Sequence, residues 1–179
     1  MTAMFIRRLG PDDAAAYLDL RLLALRESPT AFGSSYEEEC TRSVDDVRRM
    51  LQAGGGGDLL GAFVDGALVG MARLDREESI KEQHRSALRS VYVHPEHRRS
   101  GIGKALVQEQ LDAAQAMRGL RQVTLTVTAG NLAAISLYES FGFTSYGVAP
   151  ESLCIAGAYY DEVHMVRHLH AGTSGRPQP

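Results

Sequence analysis

The alternation of apolar and polar residues along the chain predicts a mixed sheet with helices packed against it. Apolar residues recur at helical spacing after Gly10-Pro11-Asp12 and after Gly101, whereas Val123 to Thr128 alternates strictly, as a half-buried strand does. Asp65-Gly66, between two apolar runs, is a strong hairpin signal. In chain order, the predicted elements are a strand at 4–9, helices at 10–28 and 44–53, strands at 59–64, 67–74 and 85–94, a helix at 101–117, a strand at 123–128, a helix at 131–140 and strands at 144–148 and 158–167.

This order of elements predicts an α/β or α+β layer architecture. A length of 179 residues suits one domain of ordinary size. We therefore expect a single domain over residues 1–169, followed by a flexible C-terminal tail at 170–179. The glycine run at 54–57 is expected at the tip of a loop.

The overall charge argues against nucleic acid or membrane as a partner. Nineteen Lys and Arg residues against 22 Asp and Glu give a formal net charge of -3, so any anion must be bound locally. No apolar run approaches the roughly 18 residues of a membrane-spanning helix. The N-terminal segment lacks the apolar region of a secretory signal, so we expect a cytoplasmic protein. Cys40 and Cys154 have no metal-type spacing, and neither a disulfide nor a metal site is expected.

A basic, glycine-containing turn joins the fourth predicted strand to the helix that follows it. The first N–H groups of a helix have no internal partner and carry partial positive charge, so they bind phosphate oxygens. Gly101 and Gly103 keep side chains away from that backbone, and Arg98, Arg99 and Lys104 add charge. The turn lacks a complete Walker motif and the third glycine of a dinucleotide fingerprint. The sequence therefore predicts either another kind of phosphate site or a glycine-rich helix start without a ligand.

Two motifs resemble those of the GCN5-related N-acetyltransferase (GNAT) superfamily. The turn Arg98-Arg99-Ser100-Gly101-Ile102-Gly103 is similar to the Arg/Gln-x-x-Gly-x-Gly/Ala signature, which binds the pyrophosphate of acetyl-CoA. The segment from Asn131 to Phe143 is similar to the second motif, Asn-x-x-Ala-x-x-Leu-Tyr-Glu-x-x-Gly-Phe. Asn131 and Tyr138 are seven residues apart and share one helix face, although a helix start with a core tyrosine would show the same spacing. The resemblance extends over about residues 3 to 169.

The resemblance implies a GNAT fold. In that fold a central, mixed, mostly antiparallel twisted sheet of about seven strands carries about four helices, and the fourth and fifth strands diverge in a V. The unpaired backbone groups of Val91 and Val93, with Tyr92 between them, would bind the pantetheine arm, since such groups are costly when buried without a partner. The resemblance also implies acetyl-CoA contacts at Asn131, at Tyr138 and along the turn formed by Arg98, Arg99, Ser100, Gly101, Ile102, Gly103 and Lys104.

Acetyl transfer to an amine needs a donor that polarises the thioester carbonyl and a proton for the departing thiolate. By the resemblance, the first is the N–H of Val91 or Val93, and the second is the phenol of Tyr138, the catalytic residue assigned here. We expect direct attack in a ternary complex, without an acetylated cysteine. Thr126 and Ala87 stand where relatives carry a glutamate, so the general base stays open among Glu38, Glu39, Glu78, His84, Glu151 and Asp161.

The loop at 28–39 and the last hairpin, at residues 158–162, form the acceptor wall implied by the resemblance. The candidate acceptor-binding residues are Phe32, Glu38, Thr126 and Tyr160. Three successive glutamates at 37–39 favour a cationic amine, although a helix N terminus also favours acidic residues. Tyr159 and Tyr160 face opposite sides of a strand, so at most one of them lines the site.

The expected function is therefore acetylation of a primary amine of a small molecule by acetyl-CoA. Peptide or protein N-acetylation is the alternative within the enzyme class. A non-catalytic acetyl-CoA sensor is the alternative outside it, because the usual base is missing. Family members are often dimers, so a homodimer agrees with the resemblance, but no sequence feature decides it.

Overall fold

A computed structural model describes residues 4–54 and 58–169 of the protein. Its strands are β1 (Met4–Arg8), β2 (Asp58–Val64), β3 (Ala67–Arg76), β4 (Arg85–Val93), β5 (Gln122–Thr128), β6 (Thr144–Ile155) and β7 (Ala158–His168). Its α-helices are α1 (Ala14–Glu27), α2 (Tyr36–Glu39), α3 (Val44–Gln52), α4 (Ile102–Ala116) and α5 (Leu132–Ser140). The tail predicted at 170–179, and residues 55–57 of the predicted loop tip, lie outside the described residues.

The strands form one seven-stranded sheet in the order β1-β2-β3-β4-β5-β7-β6. β4 and β5 pair in parallel, and the other neighbouring strands pair antiparallel. A parallel pair needs a crossover connection, which α4 provides between these two strands. The mixed, mostly antiparallel sheet with packed helices confirms the fold class predicted from the sequence.

Hydrophobic clusters cover both faces of the sheet. One cluster packs α1 and α3 on the sheet and includes Tyr92 of β4. The others pack α4 and α5 on it, and Val91 and Val93 of β4 contact them. Successive residues of a strand face opposite sides, so α1 and α3 lie on one face and α4 and α5 on the other.

Two segments differ from the sequence-based expectation. The sequence predicted a strand that ends at Val148, but β6 continues to Ile155. Register shifts at Ser145/Gly147 and Ala149/Leu153 interrupt the two-residue alternation by which a strand is recognised in a sequence. The acidic run expected in a loop contains the short helix α2. Ser35 Oγ accepts from the Glu38 N–H at 3.2 Å, and Glu38 Oε2 accepts from the Ser35 N–H at 2.7 Å. This capping box shows that part of the acidic run stabilises a helix start.

The two parallel strands stay together over a short length only. β4 pairs with β5 at Arg85↔Gln122, Ser86↔Val123 and Ala87↔Thr124, and the described pairing ends there. From Leu88 to Val93, β4 therefore has one edge without a strand partner. We call the opening between the two strands the V-shaped gap.

Candidate active site

The V-shaped gap exposes backbone groups of β4. The His94 N–H donates to the Val69 carbonyl of β3 at 2.8 Å. Peptide groups alternate in direction along a strand, so the N–H and C=O groups of Val93 point away from β3. The Val93 carbonyl accepts from Arg98 Nε at 3.1 Å, which leaves the Val93 N–H toward the gap. Val91 belongs to a bulge, where this alternation is interrupted. The contacts of both residues with a pantetheine arm remain predictions.

β4 contains a bulge at Ser90 and Val91. Tyr92 pairs with Met71 and Arg89 with Arg73, so Ser90 and Val91 together oppose one residue of β3. Ser90 has a φ of 54°, which is unusual for a residue other than glycine. Bulges and such backbone conformations re-aim the chain and occur often at functional sites. The sequence predicted a continuous strand here, and neither glycine nor proline marks the bulge.

The turn before α4 is open and uncapped. Gly101 has a φ of +86°, and a Cβ added there would meet nothing within 4 Å. No side chain in the described part of the chain caps this helix end. The Gly101 carbonyl accepts from the Ala105 N–H at 2.9 Å, so the N–H groups of Ile102, Gly103 and Lys104 precede the first intrahelical bond. This geometry can hold an anion against the backbone.

Side chains of the turn take different roles. Ile102 is buried against the sheet, and the Ser100 hydroxyl donates to the His97 carbonyl. Arg99 and Lys104 are exposed. They supply the charge that faces solvent at the turn.

The position of Arg98 corrects the expectation that it adds free charge to the turn. Its Nη1 and Nη2 donate to the two carboxylate oxygens of Glu27 at 3.0 and 2.5 Å, and its Nε donates to the Val93 carbonyl at 3.1 Å. Hydrogen bonding from Arg98 is the largest of the effects that lower the pKa of Glu27 to about 2. The Arg98 side chain therefore ties the turn and the end of β4 to α1.

Tyr92, expected beside the cofactor, turns its side chain away from α4. It lies in the cluster under α1, 5% exposed, and its hydroxyl donates to Glu27 Oε2 at 3.3 Å. Burial is the main cause that raises the pKa of Tyr92. The side chain of Tyr92 therefore supports the Arg98–Glu27 pair, and only the backbone of Tyr92 lies beside the V-shaped gap.

Asn131 and Tyr138 occupy the two ends of α5. Asn131 Oδ1 accepts from the Ala134 N–H at 3.1 Å and so caps the helix. Tyr138 is 9% exposed and packs edge-to-face on Phe143, with ring centroids 5.9 Å apart. Burial raises the pKa of Tyr138 to about 12. Both residues thus have structural roles, and their contacts with acetyl-CoA remain predictions.

A cavity of about 470 Å³ opens at the gap; we call it the inner cavity. Of the predicted acceptor residues, it brings together Phe32 and Thr126. Phe32 is buried, and Thr126 Oγ1 lies 3.4 Å from His164 Nδ1. The full lining is Arg21, Ala31, Phe32, Gly33, Ser34, Ala87, Leu88, Arg89, Ser90, Leu125, Thr126 and Glu162.

A second cavity of about 770 Å³, which we call the outer groove, shares residues 32–34 with the inner cavity. It lies between the loop at 29–38, which is one predicted wall, and residues 153–156. The other predicted wall, residues 158–162, does not line this groove. Glu38 lines this groove and not the inner cavity. Tyr160 lines neither, and Tyr159 is 64% exposed. The predicted acceptor residues are thus divided between two cavities and the surface.

None of the six candidate bases named from the sequence lines the inner cavity. Glu39 is buried, and Arg21 donates to it at 2.7 and 3.2 Å. Burial alone would raise the pKa of Glu39, but hydrogen bonds and the charge of Arg21 outweigh burial and lower it. Asp161 Oδ1 accepts from the Glu151 N–H at 2.8 Å, and neither residue lines the cavity. Glu78 and His84 do not line it either.

The acidic residue that lines the inner cavity is Glu162, which the sequence placed in the acceptor-wall segment 158–162 but not among the candidate bases. Its Oε2 accepts from the Ser152 hydroxyl at 2.5 Å. Glu162 lies on β7, which is next to β5 on the side away from β4. The strand order therefore brings Glu162 to the gap from a distant part of the sequence. No local motif surrounds it, and only the alternation of β7 could have shown which of its acidic residues faces inward.

Residues 4–54 and 58–169 contain neither a candidate metal site nor a candidate membrane-spanning helix. No group of three or more His, Cys, Asp or Glu side chains there could hold a metal ion. Within the same ranges, no helix is long and apolar enough to cross a membrane.

Comparison with protein families matches residues 22–143 to the model of the acetyltransferase (GNAT) family. The chain is similar to spermidine N(1)-acetyltransferase of Vibrio cholerae, with 34% identity over 82 residues, 46% of this chain and 47% of that protein. It is also similar to the ribosomal protein bS18-alanine N-acetyltransferase of Escherichia coli, with 41% identity over 58 residues, 32% of this chain and 38% of that protein. These matches span less than half the length of either relative.

Comparison with solved structures finds the same fold. The structure of yncA from Salmonella typhimurium, solved with its cofactor acetyl-CoA, superposes with a TM-score of 0.83 and covers 98% of this chain and 99% of that one. The sequence identity is 23%, so the likeness concerns the fold.

Proposed function

The chain belongs to the GNAT acetyltransferase family, and from this premise we propose that it transfers the acetyl group of acetyl-CoA to a primary amine of a small molecule. Acetyl-CoA supplies the activated acetyl thioester. The amine nitrogen attacks the thioester carbonyl carbon directly, in a ternary complex; the C–N bond forms, the C–S bond breaks, the nitrogen loses a proton and CoA leaves as the thiol after gaining one. Neither Cys40 nor Cys154 lines the inner cavity, which supports a route without an acetylated cysteine.

The observation that carries this proposal is the V-shaped gap with different chemistry at its two ends. At one end lie the edge of β4 after Ala87, which has no strand partner in the described part of the chain, and the open N terminus of α4, where a Cβ at Gly101 would meet nothing within 4 Å. At the other end lies the inner cavity, lined by side chains of α1, β4, β5 and β7. A thioester held at the first end and an amine held at the second meet between the strands.

The chain's own groups have distinct tasks at the cofactor end. The N–H groups of Ile102 to Lys104 bind the pyrophosphate, with Arg99 and Lys104 adding charge. Val91 and Val93 pair with the pantetheine arm, and one of their N–H groups polarises the thioester carbonyl. Asn131 borders the arm. Tyr138 holds its proton at neutral pH because burial raises its pKa to about 12, and it donates to the leaving sulfur.

At the acceptor end, the inner cavity supports a small amine. Its volume of about 470 Å³ falls in the range of small-molecule sites. Phe32 and Thr126 contact the acceptor, and Glu162 is the acidic group placed to take a proton from the amine, directly or through water. The outer groove favours the alternative, a peptide or protein acceptor, because it continues the inner cavity along the hairpin at 153–156.

The test is release of CoA thiol from acetyl-CoA with a panel of amines: amino acids, polyamines and peptides with free N termini. Turnover with a small amine supports the proposal. Turnover restricted to peptides would select the alternative. Calorimetric binding of acetyl-CoA without thiol release on any amine would contradict catalysis and identify a sensor.

A further inference from the structure

Arg21, which lines the inner cavity and lies over the Phe32 ring at 4.9 Å, carries a buried guanidinium nitrogen without a hydrogen-bond partner among the described residues. The residue is 7% exposed and lines the cavity. Its Nε and Nη2 donate to Glu39, whereas Nη1 has no hydrogen-bond partner within the described residues. A buried donor on a charged group is costly to leave unpaired, so such a group calls for an explanation. A ligand acceptor atom is one such explanation.

Arg89 brings a second cation to the same place. It also lines the inner cavity, and with Arg21 it lines an adjoining cavity of about 370 Å³. Its Nε lies 3.7 Å from Asp75 Oδ2, while Asp75 Oδ1 accepts from Arg73 at 2.7 Å. Glu39 is likewise shared by two arginines, because it pairs with Arg21 and its Oε2 lies 3.6 Å from Arg42 Nη1. Each carboxylate here serves two arginines.

Two further carboxylates border this region. Glu77 lines the adjoining cavity, and Glu162 lines the inner cavity from β7. The inner cavity therefore has a cationic side, formed by Arg21 and Arg89 on α1 and β4, and an acidic side at Glu162. Ser90 also lines the inner cavity, and the Ser34 hydroxyl hydrogen-bonds to Glu39.

We propose that the acceptor is an amine that also carries a carboxylate, in the manner of an amino acid. Its carboxylate lies between Arg21 and Arg89, and its amine faces Glu162 and the V-shaped gap. This inference rests on the proposed function. A carboxylate suits the site because it is planar and accepts paired N–H bonds from guanidinium groups.

The same geometry argues against a polyamine in the inner cavity. The three glutamates that favoured a cationic amine are engaged or lie elsewhere: Glu39 is bonded to Arg21, Glu38 caps α2, and Glu37 borders the outer groove. Two arginines facing a polycation would repel it. Phe32, Leu88 and Leu125 offer apolar contact instead, which suits an aliphatic side chain.

Calorimetry on the complex with CoA tests the inference, using N-acetyl-L-leucine and its amide, N-acetyl-L-leucinamide. The two probes differ only in the carboxylate. We expect the acid to bind at least about tenfold more tightly than the amide, as a charge-assisted pair should produce. Arg89→Gln should reduce the preference to less than about threefold. Arg48→Gln, on the exposed face of α3, is the matched control and should retain it.

Arg89→Gln is the primary variant because its side chain is 63% exposed, whereas loss of buried Arg21 would leave Glu39 without its main partner. Equal binding of acid and amide to the unmodified protein would overturn the inference, as would an undiminished preference in Arg89→Gln.

Thiol release with leucine and leucinamide separates the two proposals. A preference for the acid in binding, without turnover of any amine, supports the carboxylate site while the proposed enzyme activity fails. Equal binding with turnover of both amines leaves the enzyme activity standing and removes the carboxylate site.

Discussion

The two ends of the V-shaped gap are formed by different parts of the chain, backbone groups at one end and side chains at the other. The cofactor end consists of backbone groups contributed by one continuous stretch, from Val91 through the turn to Lys104, with α5 beside it. The acceptor end consists of side chains from α1, the loop after it, β4, β5 and β7. Backbone groups depend little on side-chain identity, so the first end suits a constant substrate. Side chains can be exchanged one by one, so the second end suits a variable one.

This difference decides what could be predicted from the sequence. The turn was predictable because Gly101 and Gly103 mark it locally, and a positive φ with open space is what such a glycine provides. The main helices and most strands followed from periodicity, whereas the part of β6 after Val148 did not. The bulge at Ser90 was not predictable, since no glycine or proline marks it.

The acceptor end was predicted less well, for a physical reason. Arg21 and Glu39 meet across 18 residues, and Glu162 reaches the cavity through strand order. Such pairings depend on tertiary packing, which periodicity does not show. The acidic run at 37–39 therefore suggested a cationic acceptor, although Glu39 is held by Arg21 and Glu38 caps a helix.

The Arg98–Glu27 pair connects the two ends. Arg98 follows β4 and also donates to the Val93 carbonyl, and Glu27 is the last residue of α1, directly before the acceptor loop. The pair lies on the surface side, with side chains 42% and 31% exposed. It is therefore a modest contributor to stability but a specific link between the halves.

The largest expected effect is on catalysis, from Tyr138→Phe. Loss of the proton donor should lower kcat by about a hundredfold with little change in acetyl-CoA affinity. Because the pKa of Tyr138 is about 12, Tyr138 keeps its proton through pH 10. We therefore expect no fall of wild-type kcat from deprotonation of Tyr138 below about pH 11. Steady-state kinetics over this pH range measure both.

Tyr17→Phe is the matched control, since Tyr17 is also buried, at 4% exposed, but belongs to α1 on the opposite face of the sheet. It should retain kcat. Equal rates in Tyr138→Phe and the wild type would reduce Tyr138 to a packing residue.

The next effect is on cofactor affinity, from Gly101→Asp. The new carboxylate stands where the pyrophosphate is held, so acetyl-CoA binding should weaken by well over tenfold, or more than about 1.4 kcal/mol. Calorimetry measures the affinity, and circular dichroism checks the fold.

Gly66→Asp separates charge at the site from backbone strain. Gly66 in the hairpin has the same φ of +86° and the same open surroundings. It should bind acetyl-CoA as the wild type does. If both variants lost affinity alike, strain rather than the turn would be the cause.

The smallest effect concerns the link, through Glu27→Gln. At pH 7 the melting temperature should fall by about 2–4 °C, as expected for loss of an exposed pair. The folded pKa of Glu27 is about 2, below its usual 4.5, so its stabilisation is present above pH 4.5 and is lost as the pH falls toward 2. The difference between variant and wild type should therefore shrink over that interval.

Glu109→Gln, on the exposed side of α4, provides the comparison for loss of a surface carboxylate. It should change the melting temperature little at either pH. A constant difference between Glu27→Gln and the wild type from pH 7 to pH 2 would show that the pair does not stabilise the fold.

The central claim is that the edge of β4 and the turn before α4 together hold the cofactor in the gap. Amide-resolved hydrogen exchange with and without CoA tests it directly, independently of any acceptor. We expect CoA to slow exchange at Val91, Val93 and the amides of residues 102–104, with β1 unchanged. Slowed exchange confined to other segments, or no change in the gap at saturating CoA, would contradict the claim.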